Sequence, residues 1–286
     1  MRLTAVRRER PRVAVVGHIE WVQFARVPHV PRAGEVTHAY DCFEEPAGGG
    51  AVAAVQLARL AGGSLLLTAL GEDELAQRSV ARLRELGVDV RAATRPARTR
   101  RAVTLSDEAG ERTITTFGAR LQPLAADQQL PWSALADMDA IYFTAGDVGA
   151  LRAARAARVL VASPRARDAL GGGVPLDALV LSEDDEIERR AAARAAQEAE
   201  LVLTTRGKRG GTYRTRGGET GAWAAVPPPA AAVDSYGCGD AFAAGFALAR
   251  GTGKGLQEAL ALAARCGSVC ATGRGPYERQ LTRETL

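Results

Sequence analysis

The sequence predicts an α/β protein built on a doubly wound, mostly parallel β-sheet that is flanked by helices and carries a small β-sheet lid. Short apolar runs, which are typical of buried parallel strands, alternate along the chain with longer alanine-rich runs that favour helices. Two β-rich segments, at about 20–43 and 98–118, interrupt this alternation, and each is too short to form a domain. We therefore expect a single domain over 1–286, with the lid formed by these two insertions.

The first half of the chain begins this pattern. The apolar run at 12–17 ends in a glycine and predicts the first buried strand. Behind a glycine triplet, an alanine-rich pattern predicts a helix over 51–60. A second buried strand is predicted over 64–70, and the helix predicted over 73–86 ends at Gly87.

The lid and the second half of the chain complete it. The segment 20–43 is interrupted by prolines and a glycine, which favours short strands and turns. In the other insertion, two alternating runs at 101–106 and 111–116 flank a turn at 107–110 and predict a β-hairpin. Strands and helices then alternate again: we predict strands at 140–143, 158–161, 178–181 and 201–204, and helices at 149–157, 185–199, 239–250 and 256–272.

Composition and charge limit the kind of protein this can be. The chain is 47% hydrophobic and 24% charged, so a sizeable core is available. The net charge of +4 is small for 286 residues, and the basic stretch at 1–12 is best interpreted as a solvated tail, so no nucleic acid partner is expected. No apolar run approaches the roughly eighteen residues that span a bilayer, and none near the start resembles a signal-peptide core. We expect no membrane association and a cytoplasmic location.

The cysteines do not indicate a disulfide framework or a metal centre. The four of them follow no framework spacing, and the three histidines all lie near the other end of the sequence from the cysteine pair at 266 and 270. We therefore expect buried structural thiols at Cys266 and Cys270.

The segment 234–240 is the strongest candidate for chemistry. Gly237 and Gly239 precede a predicted helix, whose first amide groups lack internal partners and lie at the positive end of the helix dipole. Glycines let an anion approach these amides closely, so the segment can stabilise charge on a transferred phosphoryl group. Asp240 lies in the first turn, where it can act as a base. The residues alone leave a second interpretation equally open, because aspartate in this position also caps helices.

This segment resembles the second signature of the PfkB, or ribokinase-like, family of carbohydrate and nucleoside kinases. That signature is D-T-x-G-A-G-D followed by A-F-x-x-G, and its positions are occupied here by Asp234, Gly237, Cys238 in place of the usual alanine, Gly239, Asp240, Ala241, Phe242 and Gly245. Further resemblances follow in order along almost the whole chain: Gly48-Gly49, the G-x-D and G-V-D patterns at 71–73 and 87–89, the lid motif at 110–113, and T-x-G-x-x-G at 205–210.

The resemblance implies ATP, Mg²⁺ and, in many relatives, K⁺ as cofactors. It implies Asp240 as the base that deprotonates the acceptor hydroxyl. Backbone amides of Gly237, Cys238 and Gly239 would hold the γ-phosphate, while Asp234 would lie near a monovalent cation. Thr205, Gly207 and Gly210 would lie along the nucleotide.

The departures from the family pattern lie mostly on the acceptor side. Where relatives carry a sugar-binding aspartate this chain has Val22, and Glu20 is the expected substitute because it points to the same face of the strand; a surface glutamate is the alternative. Ala53 stands where an asparagine closes the motif that starts at Gly48 and Gly49. Asp147 is a further candidate acceptor ligand, although a turn-capping role is equally compatible with its position.

One departure concerns the nucleotide side. The N-x-x-E pattern, which in the family helps organise phosphate and magnesium, is replaced here by 182–185. Asp185 keeps the charge on a shorter side chain, where it can reach Mg²⁺ through water, and Glu183 is the neighbouring alternative.

The sequence therefore predicts an ATP-dependent kinase that phosphorylates a hydroxyl group of a small-molecule sugar or related polyol. A nucleoside kinase of the same family is one alternative, because Trp21, Phe24 and Tyr40 in the lid are able to stack on a base. A catalytically weak relative that senses a sugar or nucleotide is another. An exposed face of the lid also predicts a homodimer.

Overall fold

The computed structural model describes residues 10–108 and 112–285. The first nine residues of the basic tail therefore lie outside the described part, as do Gly110 and residue 111 of the lid motif. Its strands are β1 Val13–Val16, β2 Glu20–Arg26, β3 Asp41–Ala47, β4 Ser64–Gly71, β5 Val88–Arg95, β6 Arg101–Ser106, β7 Arg112–Phe117, β8 Ala140–Phe143, β9 Leu160–Ala162, β10 Ala178–Ser182, β11 Leu201–Thr205, β12 Gly211–Thr215 and β13 Thr220–Trp223. Its α-helices are α1 Gly49–Ala61, α2 Glu74–Glu85, α3 Val148–Ala154, α4 Glu186–Ala195, α5 Cys238–Gly251 and α6 Leu256–Cys270.

The large sheet has nine strands in the order β13-β12-β11-β10-β9-β8-β1-β4-β5. From β11 to β5 all neighbours are parallel, while β12 and β13 add an antiparallel hairpin at one edge. Apolar side chains alternate between the two faces of β1 and so enter two separate cores. One core contains α1, α5 and α6, and the other contains α3 and α4. The predicted doubly wound α/β class is confirmed.

The two β-rich insertions form a separate four-stranded sheet in the order β3-β2-β6-β7, which confirms the predicted small second sheet, while its action as a lid remains a prediction. Its first segment extends to Ala47, four residues beyond the predicted boundary, because the whole of β3 pairs with β2. The strands predicted at 101–106 and 111–116 pair antiparallel as β6 and β7. The extent of the domain over 1–286 remains a prediction.

Three strands were not predicted. Strand β5 carries Asp89 and Arg91 on its exposed face, and an edge strand with alternating charge lacks the continuous apolar run of the central strands. Strands β12 and β13 form a polar, glycine-rich edge hairpin, which also lacks a continuous apolar run. None of the helices in residues 10–108 and 112–285 is long and apolar enough to cross a bilayer.

The lid sheet packs near the start of α5. Phe24 of β2 stacks on Phe43 of β3 at 4.7 Å between ring centroids, and its edge meets the ring of Tyr236 at 4.9 Å. Asp41 of β3 forms a bidentate ion pair with Arg274, beyond the end of α6, with distances of 2.5 and 2.7 Å. The lid is therefore packed directly on the loop that leads into α5.

Candidate active site

The loop before α5 is shaped by a glycine in the left-handed region. Gly237 is the N-cap of α5 with φ +80°, and a Cβ placed there would lie 2.7 Å from a methyl group of Val52. No side chain caps this helix start. The amide of Cys238 makes a long hydrogen bond of 3.4 Å to the carbonyl oxygen of Ser235, and the first turn lies at the positive end of the helix dipole, where an anion is favoured.

Asp234 holds this loop in shape. Its Oδ1 accepts a hydrogen bond from the amide of Tyr236 at 2.9 Å, and its Oδ2 accepts one from the amide of Gly275 at 3.2 Å. Each carboxylate oxygen is thus already bound to a backbone donor. The proposed role of Asp234 beside a monovalent cation remains a prediction.

Asp240 is in the first turn of α5, and its carboxylate makes no capping hydrogen bond to the helix start. Its hydrogen-bond partner is the hydroxyl of Tyr142 on β8, which donates to Oδ1 over 3.4 Å. Burial raises the pKa of Asp240 from 3.8 to about 6, and the negative charge of Glu188 contributes to the rise. The positive charge of Arg165 lowers this pKa, as do the hydrogen bond from Tyr142 and the positive charge of Arg112. A carboxyl group with this pKa is able to accept a proton near neutral pH.

Gly48 and Gly49 place the start of α1 against Asp240. A Cβ at Gly49 would lie 2.8 Å from Oδ1 of Asp240, so only glycine permits this approach. Gly48 has φ +87°, and its amide donates to the hydroxyl of Tyr236 at 3.2 Å. Of the two glycines predicted to bind substrate, Gly49 thus adjoins the predicted base, and Gly48 is bound to Tyr236, which connects the loops before α1 and α5.

Glu20 lies on the other side of Gly48. Its side chain is buried, and a Cβ at Gly48 would be 3.3 Å from its Cγ. Oε2 forms an ion pair of 3.4 Å with Nε of Arg100. Burial raises the pKa of Glu20, against the opposing charges of Arg100 and other arginines. The alternative of a surface glutamate is thereby wrong, whereas contact with an acceptor remains a prediction.

Asp147 caps α3. Its Oδ1 accepts hydrogen bonds from the amides of Ala150 at 2.8 Å and Ala125 at 3.0 Å. The capping interpretation therefore describes what its side chain does in this structure. Its contact with an acceptor remains a prediction.

The two acidic residues of the 182–185 segment have different partners. Glu183 forms ion pairs with Arg206 at 2.8 Å and Arg209 at 2.7 Å, which connects it to the 205–210 loop. Asp185 caps α4 and forms an ion pair of 2.5 Å with Arg165. Within the described ranges no three or more His, Cys, Asp or Glu side chains are grouped as a metal site. A magnesium ion that binds mainly to phosphates needs only one or two carboxylates. The role of Asp185 as a magnesium ligand through water therefore remains a prediction.

The 205–210 loop connects β11 to the edge hairpin. The hydroxyl of Thr205 donates to the carbonyl oxygen of Leu181 at 3.2 Å. Gly207 and Gly210 both have positive φ, and a Cβ at Gly210 would lie 2.1 Å from the carbonyl oxygen of Trp223. Packing on the hairpin thus explains Gly210, while a nucleotide contact by these three residues remains a prediction.

The lid reaches the α5 loop through two arginines. Nη1 of Arg112 on β7 donates to the hydroxyl of Ser235 at 2.5 Å, and Nη2 of Arg26 on β2 donates to the carbonyl oxygen of Val233 at 3.0 Å. These contacts cover the α5 loop from the lid side.

Sequence reasoning missed several side chains around Asp240. Tyr142, Arg165, Glu188 and Arg112 each affect its pKa. Arg165 pairs with Asp185 and, at 2.7 Å, with Glu188. Arg165 belongs to the 163–167 segment, which directly follows β9, and the resemblance of this segment to the family's D-P-N-x-R stretch was the one available signal. Glu188 lies inside a helix, and nothing in its spacing marks it.

Comparison with known proteins identifies the family and the fold. The profile of the family described as pfkB family carbohydrate kinase matches residues 10–166 and 176–283. Among curated proteins, acarbose 7(IV)-phosphotransferase of Actinoplanes is 41% identical over 75 residues, which spans 26% of this chain and 25% of that protein.

Among solved structures, the fold is similar to three ribokinases. That of Thermotoga maritima has a TM-score of 0.76 at 21% identity, over 96% of this chain and 97% of the other. The ribokinase of Cryptococcus neoformans, in complex with ADP, has a TM-score of 0.74 at 23% identity, over 96% of this chain and 98% of the other. The ribokinase of Arabidopsis thaliana, complexed with ribose and ATP, has a TM-score of 0.72 at 21% identity, over 96% of this chain and 97% of the other. The fold is therefore ribokinase-like, and the family match over nearly the whole length shows that this chain belongs to the pfkB family of carbohydrate kinases.

Proposed function

We propose that this protein transfers the γ-phosphoryl group of ATP to a hydroxyl group of a sugar or related polyol. The observation that carries the proposal is the position of Asp240. Its carboxylate adjoins Gly49 and Tyr142, has a pKa of about 6, and lies in the first turn of a helix whose start no side chain caps. A base and an anion-binding helix start thus lie within one turn of each other, which is what in-line phosphoryl transfer requires.

The proposed reaction assigns a role to each part of the α5 start. The acceptor hydroxyl gives its proton to a carboxylate oxygen of Asp240 as its oxygen bonds to the γ-phosphorus. The bond between the γ-phosphorus and the bridging oxygen of ADP breaks, and ADP leaves. The amides of Gly237, Cys238 and Gly239 stabilise the negative charge on the transferred group. Asp185 would hold a Mg²⁺ ion through water, and that ion would neutralise further negative charge on the phosphates.

The fit of the site to a nucleotide polyphosphate is supported by Gly239. A Cβ at Gly239 would meet no atom within 4 Å, so packing within the protein gives no reason for glycine at this position. An anion that approaches the helix start does give one. We place Thr205, Gly207, Gly210, Glu183 and Asp185 along the nucleotide, and the ADP and ATP complexes of the ribokinases support this choice of phosphoryl donor.

A sugar acceptor is favoured over a nucleoside by the lid aromatics. Phe24 is already stacked on Phe43, and Trp21 is buried with the Arg78 guanidinium over its ring at 4.3 Å. Of the three aromatic residues proposed to stack on a base, Tyr40 alone is exposed, at 58%. We assign the acceptor side to Glu20, Gly48, Gly49 and Asp147.

We also propose a homodimer through the lid. All of β7 is exposed, and Ile114 and Phe117 present apolar side chains on this edge strand. Sedimentation analysis at micromolar concentration is expected to show a dimer, and a monomer throughout that range would contradict the proposal.

The test of the activity is an ADP-release screen with MgATP against neutral sugars, sugar acids, sugar phosphates, nucleosides and acarbose. The panel includes acarbose because one relative is named for its phosphorylation. We expect at least one strong acceptor and a nearly complete loss of turnover in Asp240→Asn. Unchanged turnover in that variant would refute the assigned base. Tight ligand binding without turnover of any acceptor would favour a sensor.

A further inference from the structure

A buried histidine lies beside Gly48 at the end of β1. His18 is 6% exposed, and a Cβ at Gly48 would lie 3.1 Å from its Nε2. Its Nδ1 is buried without a hydrogen-bond partner among the described residues. A buried polar atom of this kind calls for an explanation, and an absent ligand is one.

Three arginines from separate segments act electrostatically on His18. Burial is the largest cause that lowers the pKa of His18, and the positive charges of Arg120, Arg100 and Arg165 lower it further. His18 is therefore neutral at physiological pH, and one of its ring nitrogens is a hydrogen-bond donor. The surroundings of His18 are thus electropositive, although His18 itself carries no charge.

Two of these arginines are neutralised within the protein. Arg100 forms an ion pair with Glu20, and Arg165 forms ion pairs with Asp185 and Glu188. Arg120 differs from both. In residues 10–108 and 112–285 its hydrogen-bond partner is the carbonyl oxygen of Arg165, to which Nη2 donates at 2.8 Å.

No carboxylate of the described ranges forms an ion pair with Arg120. The charge of Asp168 raises the pKa of Arg120, but the carboxylate of Asp168 accepts a hydrogen bond from Gln122 at 3.0 Å instead. Burial has the larger effect and lowers the pKa of Arg120, as expected for a guanidinium that is partly removed from water without a counter-charge.

The position of this guanidinium relative to Asp240 decides what it would bind. His18 adjoins Gly48, and Asp240 adjoins the next residue, Gly49. Arg165, whose carbonyl oxygen binds Arg120, also interacts electrostatically with Asp240. An acceptor whose hydroxyl faces Asp240 thus extends along Gly49 and Gly48 toward His18, on which Arg120 acts electrostatically.

We infer that the acceptor carries an anionic group, a carboxylate or a phosphate, which binds to Arg120 with His18 and Arg100 beside it. The inference rests on the proposed function and narrows it from sugars in general to acidic sugars. Arginine is suited to this role because its guanidinium pairs with both oxygens of a carboxylate or phosphate. The simpler interpretation is that Arg120 only fastens the 163–167 loop through the carbonyl oxygen of Arg165.

Binding in a catalytically inactive background separates the two interpretations. In the Asp240→Asn protein, we would measure dissociation constants by calorimetry for D-glucose, D-gluconate and D-glucose 6-phosphate, and for D-ribose, D-ribonate and D-ribose 5-phosphate. We expect an anionic member of at least one set to bind about ten-fold or more tightly than its neutral counterpart. Whether the carboxylate or the phosphate binds better identifies the anion.

Arg120→Gln is expected to remove that preference while the neutral sugars bind as before. Arg120→Lys keeps the positive charge but loses the planar guanidinium, so it should retain part of the preference for anionic sugars. Because it is the more conservative substitution, it also controls for misfolding of Arg120→Gln. The matched control is Arg190→Gln, on an exposed part of α4. Equal binding of neutral and anionic sugars, a preference that survives in Arg120→Gln, or binding of no anionic sugar would overturn the inference.

The turnover of the wild-type protein distinguishes this failure from failure of the proposed function. Efficient phosphorylation of neutral sugars alone would leave the kinase assignment standing and remove the anionic acceptor. Binding of an anionic sugar that depends on Arg120, without turnover of any acceptor, would support the anion site and contradict the kinase.

Discussion

The hydroxyl of Tyr142 donates a hydrogen bond to Oδ1 of Asp240 across the junction between β8 and the start of α5. The tyrosine ring is buried, and its own pKa is raised well above the usual value, chiefly by burial and then by the charge of Asp240. Tyr142 is therefore a permanent donor, and the hydrogen bond favours the ionised form of the aspartate. It partly offsets the burial that raises the pKa of the proposed base.

The rate of phosphoryl transfer should fall on the acid side of about pH 6. The pKa of Asp240 is raised to about 6, and a base is active only when it is ionised. Below that pH the ionised fraction decreases about ten-fold per unit. The measurement is kcat/KM for the acceptor at saturating MgATP from pH 5 to 9. A rate that is flat between pH 5 and 8 would contradict the assignment.

Tyr142→Phe should move this acid limb to higher pH. Loss of the hydroxyl removes a hydrogen bond that lowers the pKa of Asp240. The effect of burial is then less strongly opposed, and the pKa of Asp240 rises further. At pH 8 the carboxylate is ionised in both proteins, and the rate should fall less than about ten-fold, in keeping with the loss of one hydrogen bond. A limb that stays in place or moves to lower pH would show that Tyr142 does not act on the base.

Asp240→Asn should abolish activity without loss of stability. General-base catalysis contributes about 10²–10⁴-fold, so turnover should decrease by at least that factor. A rise in pKa from 3.8 to about 6 means that ionised Asp240 destabilises the folded state by roughly 3 kcal/mol above pH 6. The variant should thus melt at the same or a higher temperature at pH 8.

This difference in melting temperature should shrink as the pH decreases from 6 to 4. Below the unfolded-state pKa the carboxyl group is protonated in both states, so the penalty disappears. Calorimetric scans across this range provide the check. A variant that is less stable than the wild type at pH 8 would mean that the carboxylate is stabilised by contacts other than those described.

Gly239→Ala should weaken nucleotide binding in a protein that folds normally. The added methyl group meets no protein atom within 4 Å, and alanine is the better helix former, so the melting temperature should not decrease. If the first-turn amides hold the γ-phosphate, the same methyl group hinders that approach, and we expect KM for ATP to rise about ten-fold or more.

Gly217→Ala is the matched control for this variant. Gly217 lies in the exposed turn between β12 and β13, where an added Cβ has its nearest neighbour at 3.8 Å. Kinetic constants of this variant should equal those of the wild type. Normal KM for ATP in Gly239→Ala would remove the helix start from the phosphate site.

The sequence specified the loop before α5 better than the proposed acceptor side for a physical reason. Gly237, Gly239 and Asp240 act through one helix start, so their spacing along the chain is also their spacing in space. The arginines around His18 come from the lid, from the loop after it and from the loop after β9. Their proximity depends on how the layers pack, which no local pattern records.

The same distinction explains what could be predicted of the fold. Buried parallel strands were found because they are continuous apolar runs, as in β1 and β4. The edge strands β5, β12 and β13 are partly exposed, and their pairing is fixed by neighbours that are distant in sequence. Glu20 was assigned to the correct face of β2 by two-residue periodicity alone, whereas its ion pair with Arg100 became visible only when β2 and β6 were paired.

A thiol-alkylating reagent should inhibit the protein through Cys238, and ATP should protect it. Cys238 is half-buried in the α5 start, with its Sγ 3.9 Å from the carbonyl oxygen of Asp234. An added group would occupy the space in front of the first-turn amides, where we place the γ-phosphate. The two other cysteines of the helical core are poor targets. Burial raises the pKa of Cys266 to about 12, while a hydrogen bond to Cys238 and burial raise that of Cys270.

The exposed Cys42 is the one competing site, so the experiment uses a Cys42→Ser background. Iodoacetamide modification of Cys238, followed by mass spectrometry, should parallel the loss of activity and slow down when MgATP is present. Cys238→Ala, which restores the residue usual in the family signature, should be active and resistant to the reagent. Full activity after stoichiometric modification of Cys238 would place this thiol, and with it the start of α5, outside the path of the transferred phosphoryl group.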